Sequence, residues 1–202
     1  MDHHGVMARL TAPVCSPGTV ASSVQPVLRV GGDFVLRPWR DDDVDAVVEA
    51  YGDPDIQMWH RRSLNWAEAL SLIGAWRGSW AEETGAYWAV TRVPEGTVLG
   101  RVSLRDLDLV TGIAEVGYWT LRRARGLGVA ARATDEMCRW AFDDLGLHRL
   151  ELFHSLRNPG SCRVAEKAGF QLEGTLRSAL LHADGWHDMH LHARIANDSM
   201  AT

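Results

Sequence analysis

Cysteine is scarce in this sequence and irregularly placed. Cys15, Cys138 and Cys162 form no disulfide framework, and no C-x-x-C pair suggests structural zinc. The expected compartment is therefore a reducing one, the cytoplasm. Long apolar runs are also missing, so neither a bilayer-crossing helix nor a membrane partner is expected. The stretch from Val6 to Val20 is broken by Arg9, Thr11, Pro13, Ser16 and Pro17, which leaves no continuous apolar segment for a secretion signal. Excess positive charge is absent. Lys and Arg number 21 against 26 Asp and Glu, a formal net charge of −5, so no global basic field recruits nucleic acid. A mildly acidic surface suits a cationic partner instead.

What remains reads as an ordinary soluble chain. Its 202 residues, 46% apolar and 23% charged, suffice for one domain with a sizeable core and not comfortably for two. Residues 1–30 are rich in small and turn-forming types without sustained period, and are expected to be a disordered or loosely attached leader. The domain proper is expected over 34–195. Phe34–Pro38 reads as a strand that ends at proline. Asp41–Asp43 offer cap charges for a helix carrying Val44, Val47, Val48 and Tyr51, and Asn65 caps a second helix through Trp80. Tyr87–Val93 and Val98–Leu104 read as a hairpin around Pro94-Glu-Gly96, followed by a strand over Ile113–Thr120. A helix from near Gly126 to Leu145, a strand over Arg149–Phe153 and a helix over Pro159–Ala168 come next. A hairpin, Gln171–Leu181 with Trp186–Ala193, closes the chain. Strand-helix-helix, three strands, then helix, strand, helix and two strands imply an α/β class with a mixed sheet of about seven strands.

The segment Tyr118-Trp-Thr-Leu-Arg-Arg-Ala-Arg-Gly-Leu-Gly-Val-Ala-Ala-Arg132 carries the most chemistry. A strand runs into a basic, glycine-containing loop that opens a long helix. Unpaired N–H groups and the helix dipole make such a start an anion cradle. Gly126 and Gly128 let a ligand approach the backbone, Ala130 keeps the first turn small, and Arg122, Arg123 and Arg125 add charge. The loop is not a Walker loop, since no GK[ST] follows, and it is not a dinucleotide fingerprint, since Ala131 stands where the third glycine belongs. Alone, such a turn also fits an ordinary helix start with solvated arginines.

Several motifs in order carry a resemblance. Arg125-Gly-Leu-Gly-Val-Ala130 resembles the R/Q-x-x-G-x-G/A motif of the GNAT acetyltransferases. Asn158-Pro-Gly-Ser-Cys-Arg-Val-Ala-Glu-Lys-Ala-Gly-Phe170 resembles the N-x-x-S-x-x-V-x-E-K-x-G-F stretch of their RimJ/RimL-type branch. Ala114–Trp119, Leu36–Arg40 and Gly185–Asp188 fit that branch as well. The resemblance implies the GNAT fold: helices on both faces of the sheet, and two central parallel strands that splay into a V-shaped slot for pantetheine. It implies acetyl-CoA, or another acyl-CoA, as cosubstrate and no metal. Arg123, Arg125, Gly126, Leu127, Gly128, Val129 and Ala130 would then meet the pyrophosphate. The strand edge through Val116, Tyr118 and Trp119 would pair with pantetheine, and Asn158 and Ser161 would meet it from the other side.

Acyl transfer from a thioester to an amine needs a base, because an aliphatic ammonium has a pKa of about 10. Glu115 is the lone acid in an apolar and aromatic strand, where burial raises a carboxyl pKa, and it is the candidate base. Direct attack in a ternary complex would follow. Many GNAT enzymes protonate the thiolate with a tyrosine of the second motif. Ala165 stands at that position here, and Ser161, one turn earlier, is the candidate donor. Trp39, Trp76, Trp80 and His190 are candidates for the acceptor side, and Asp53, Asp55, Glu68, Glu82 and Glu83 for receiving a cation. His182, His187, His190 and His192 crowd the last hairpin. A polar face bordering the acceptor is favoured there over a metal site. The acceptor is expected to be a primary amine, on a protein N-terminus or a small molecule, and the protein a monomer or homodimer. The competing reading is a non-catalytic CoA-binding sensor.

Overall fold

The computed structural model describes residues 10–200. One mixed sheet of eight strands runs through it: β1 (Leu28–Val30), β2 (Phe34–Pro38), β3 (Ala86–Arg92), β4 (Val98–Asp108), β5 (Ile113–Thr120), β6 (Arg149–Ser155), β7 (Gln171–His182) and β8 (Gly185–Ile195). In space the order is β1-β2-β3-β4-β5-β6-β8-β7, and only β5 and β6 are parallel. Among the described residues five α-helices accompany it: α1 (Val44–Gly52), α2 (Pro54–His60), α3 (Trp66–Ala81), α4 (Val129–Asp143) and α5 (Pro159–Lys167). This is the mixed α/β architecture that the resemblance implies.

Two apolar clusters, one on each side of the sheet, hold the layers. Val47, Tyr51, Ile56, Ile73 and Trp76 of α1–α3 join Ala89 and Trp119 on one side. On the other, Ala133, Met137, Cys138 and Ala141 of α4 and Ala165 of α5 cover Val102, Leu104, Ala114, Leu150 and Leu152. Each fully buried leucine here stabilises the fold by about 2–5 kcal/mol against its alanine variant. The caps follow from sequence. Asn65 and Glu68 exchange bonds in a capping box at α3, and Asn158 Oδ1 accepts Ser161 N–H at 3.1 Å to start α5.

The structure departs from the expected layout at three places. Asp53 accepts Asp55 N–H at 2.9 Å with Pro54 in the first turn, so a separate helix, α2, forms where none is expected. A three-residue edge strand, β1, adds an eighth strand. Residues 14–30 are docked, not loose, Val14 and Cys15 donating backbone N–H to the Val110 and Leu109 carbonyls, while residues 1–9 lie outside the described residues. Val20 and Cys15 are buried in the core, and the Glu83 carboxylate accepts the N–H groups of Gly18, Val20 and Ala21. Trp80 and Trp88 donate their indole N–H to the carbonyls of Ser23 and Pro26, both at 2.8 Å.

Candidate active site

Backbone pairing between β5 and β6 stops at Glu115 opposite Glu151, although the strands continue to Thr120 and Ser155. Beyond that point they part, and a cavity of about 1190 Å³ opens between them. At its outer mouth lies the start of α4. Gly128 caps that helix with φ +72° and no side-chain bond, which leaves the first-turn N–H groups without a side-chain partner. Gly126, at φ +80°, has open space where a Cβ would stand. The result is a backbone anion cradle whose charge comes from the helix start.

The arginines of the loop are engaged elsewhere. Arg125 lines the cavity but forks onto Asp53 and Asp55 at 2.7 and 2.6 Å, and Arg122 reaches the same two acids. Arg123 binds Glu49 and donates to the Val98 carbonyl at 2.9 Å, outside the cavity lining. These bonds clamp α1 and α2 to the loop and neutralise the very acids expected to receive a cation. Glu68 and Glu83 are likewise occupied, by the α3 cap and by the leader.

Deeper in the cavity stands Glu115, paired with Arg105. Burial raises its carboxyl above the ordinary range, and Arg105 offsets this only in part. Opposite Ser103, Gly117 sits close to its neighbours: a Cβ would stand 3.0 Å from Arg105 Nε and 3.1 Å from Ser103 Oγ, so a larger residue would require these side chains to shift. Tyr118 turns to the other face, where its phenol donates to the Ser161 carbonyl at 3.4 Å. Burial pushes that phenol up to about 12, so it stays protonated. Ala165 leaves α5 without a tyrosine, and β5 brings a phenol beside Ser161 instead.

The cavity's other side is walled by Tyr51, Trp59, His60, Trp76, Tyr87 and Arg101. His60 Nε2 lies 3.3 Å from the Tyr118 carbonyl. Burial first, and then the Arg101 charge, push its pKa down to about 3, so this imidazole is neutral at any ordinary pH. Neither His60 nor Arg101 was expected at the site. The signal for Arg101 was the one that exposed Glu115: a single charge in an apolar strand segment, Val98–Leu104.

Of the residues singled out from sequence, Glu115, Val116, Tyr118, Trp119, Arg125, Gly126, Gly128, Val129, Ala130, Asn158, Ser161 and Trp76 line this one cavity. Leu127 is half exposed on the loop and lies outside the lining. Trp39 is fully buried behind the wall, its ring 4.9 Å from Trp76 and 6.0 Å from Trp119. Trp80, one turn beyond Trp76, has already passed the site and packs edge-on to Trp88 and tilted against Trp140. Strand alternation removes His190. It pairs with His154 on the α5 face, and those two, with His192 and Cys162, bring four ligand-type atoms within 4.8 Å of one another. His187 faces the other way, between Ser155 Oγ at 2.7 Å and Asp184 at 2.8 Å, and so ties the end of β6 to the last hairpin.

An open helix start, a splayed parallel pair and a part-buried glutamate between them define a class, and the comparisons agree: the chain belongs to the acetyltransferase (GNAT) domain family, which matches residues 33–171. It is similar to YdaF of Bacillus subtilis (strain 168), a candidate ribosomal N-acetyltransferase by name. The two are 32% identical over 117 residues, 58% of this chain and 62% of that one, just under two thirds of the relative's length. It is also similar to the ribosomal-protein-serine acetyltransferase of Escherichia coli (strain K12), at 27% identity over 76% of this chain and 92% of that one. Among solved structures, RimL, a ribosomal L7/L12 alpha-N-protein acetyltransferase in complex with coenzyme A, shares the fold with a TM-score of 0.78 at 18% identity, over 84% of this chain and 98% of that one. No helix of the described residues is long and apolar enough to cross a membrane.

Proposed function

We propose that the protein transfers the acetyl group of acetyl-CoA to a primary amine by direct attack. One observation carries this reading: a single cavity joins the open α4 start to the carboxylate of Glu115. The cradle fits a pyrophosphate, because Gly126 has open space and the first-turn N–H groups of α4 have no side-chain cap. Acetyl-CoA supplies the activated thioester. The free edge of β5 from Val116 onward offers backbone groups to an extended arm, and Asn158 stands across from it.

Glu115 takes the proton of the amine. Its raised pKa brings it nearer the amine's, while Arg105 keeps it ionised enough to act. The Val116 and Gly117 backbone is the candidate for polarising the acetyl carbonyl. Ser161 and the protonated Tyr118 phenol flank the place where a thiolate is released, and either hydroxyl serves as donor. Relatives bear the names of acceptors of two kinds, ribosomal proteins and, in one Escherichia coli enzyme, L-amino acids. The acceptor here is accordingly a protein N-terminal amine or a small amine.

Release of free thiol from acetyl-CoA across a panel of amines and N-terminal peptides tests the proposal. Turnover with at least one amine is expected, with a fall in kcat for Tyr118→Phe or Ser161→Ala. Intact acetyl-CoA binding with no turnover on any amine would return the chain to the reading of a CoA sensor.

A further inference from the structure

β4 is buried along Val98–Leu104, and Arg101 is the one charged residue in that stretch. It is 5% exposed. Its guanidinium lies over the rings of Trp76 and Tyr87, 5.1 and 5.7 Å from their centroids. The Tyr51 hydroxyl is 3.5 Å from Nη1, a long contact, and Nε has no partner. Among the described residues no carboxylate stands within ion-pair distance of it. The acids that line the cavity are both taken, Glu115 by Arg105 and Asp55 by Arg125. A buried guanidinium without a counter-charge is costly to the fold, and stacking on aromatics offsets only part of that cost.

The position of this charge separates it from the cradle. Its neighbours come from α1, α3 and β3, whereas the anion cradle is built by the start of α4. In register Arg101 stands opposite Trp119, and Ser103 opposite Gly117. Residues two apart on a strand face are separated by about 7 Å, a distance an arginine side chain spans. An anion held by Arg101 would therefore lie within a few bonds of an amine that reaches the backbone of Val116 and Gly117.

We propose that Arg101 anchors a carboxylate of the acceptor, so that the amine acetylated here belongs to a small amino-acid-like molecule. The inference rests on the acetyl-transfer reading above and narrows its substrate. A guanidinium fork matches a carboxylate bidentately, and in this water-poor wall the pair forms with little competition. A polyamine would instead set a second ammonium against Arg101 and Arg105. The aromatic wall of Trp59, Trp76 and Tyr87 leaves an apolar slot for the rest of the molecule.

The test uses the full chain with acetyl-CoA and matched carboxylate and amide pairs of L-phenylalanine, L-methionine and L-glutamine. Thiol release should favour the carboxylate member of at least one pair by about tenfold or more in kcat/KM. Arg101→Gln should abolish that preference by raising KM for the acid alone, and Arg101→Lys should restore part of it. A wild-type ratio near one, or an Arg101→Gln defect shared equally by acids and amides, would overturn the inference. A second readout needs no turnover. In the presence of CoA, quenching of tryptophan fluorescence by the N-acetylated acids, and not by their amides, should saturate in the wild type and vanish in Arg101→Gln. Equal behaviour of acid and amide there would overturn the proposal as well. Arg101→Met should keep or raise Tm, because an unpartnered buried charge is lost; a large fall would mark Arg101 as a structural cation and refute the anchor. Failure of the acetyl-transfer reading is seen separately, as no thiol release with any amine, acid or amide, whether or not acetyl-CoA binds.

Discussion

Glu115→Gln is the most informative single change. It keeps the shape of the side chain and removes the carboxylate that burial and Arg105 hold in opposite directions. A general base contributes roughly 10²–10⁴ in rate, so kcat for an amine should fall by about that factor while acetyl-CoA affinity stays unchanged. The pH profile adds a sign. The base acts only when ionised, so kcat/KM in the wild type falls on the acid side as Glu115 takes up its proton, and that limb lies above the range of an ordinary glutamate. In Glu115→Gln the limb disappears. Arg105→Met removes the opposing charge, burial and the Asp106 and Glu151 charges then act unopposed, and the limb moves to higher pH. Steady-state thiol release between about pH 5 and pH 9 reads all three. A Glu115→Gln enzyme within about twofold of wild type, or one that keeps the acid limb, would refute the assignment.

Two further outcomes follow from the same geometry. His60, with a folded pKa of about 3 against about 6.5 in the unfolded chain, stays neutral while the unfolded state takes up a proton. Its contribution to stability is present above about pH 6.5 and fades as pH falls, by roughly 1.4 kcal/mol between about pH 7.5 and 5.5. Denaturant melts of wild type and His60→Gln at the two pH values should differ in pH dependence by about that much, and equal dependence would contradict the burial. Glu83→Ala removes the acceptor of three leader N–H groups, and should make residues 10–27 susceptible to limited proteolysis that the wild type resists.

The cradle was legible because its chemistry is local, whereas the splay came only as what the resemblance implies. A basic strand-to-helix turn with Gly126 and Gly128 declares positive φ and an open helix start within a few residues. Glu115 was legible as the odd charge in an apolar strand. Arg101 obeys the same logic one strand away, yet the aromatic neighbours that bury it come from Tyr51, Trp76 and Tyr87, which only the fold assembles. Local signals are silent where a charge has a long-range partner. Arg122, Arg123 and Arg125 read as phosphate ligands, but Asp53, Asp55 and Glu49 from an earlier helical region hold them. The leader's composition gave no period, and its docking depends on Glu83, Trp80 and Trp88, each more than fifty residues away. The histidines divide between two faces because β8 alternates, and His154 from β6 completes a group that the last hairpin alone does not show.

The central claim is that the α4 start and the β5–β6 slot hold acetyl-CoA. Calorimetric titration of the full chain with acetyl-CoA, beside Gly128→Glu, tests it directly. Gly128 sits at φ +72° at the cap of α4, so a glutamate there both strains the turn and sets a negative charge at the cradle. The account predicts saturable one-to-one binding by the wild type and its loss in the variant, with the fold of the variant retained by circular dichroism. No binding by the wild type, or equal binding by a folded Gly128→Glu, would contradict it.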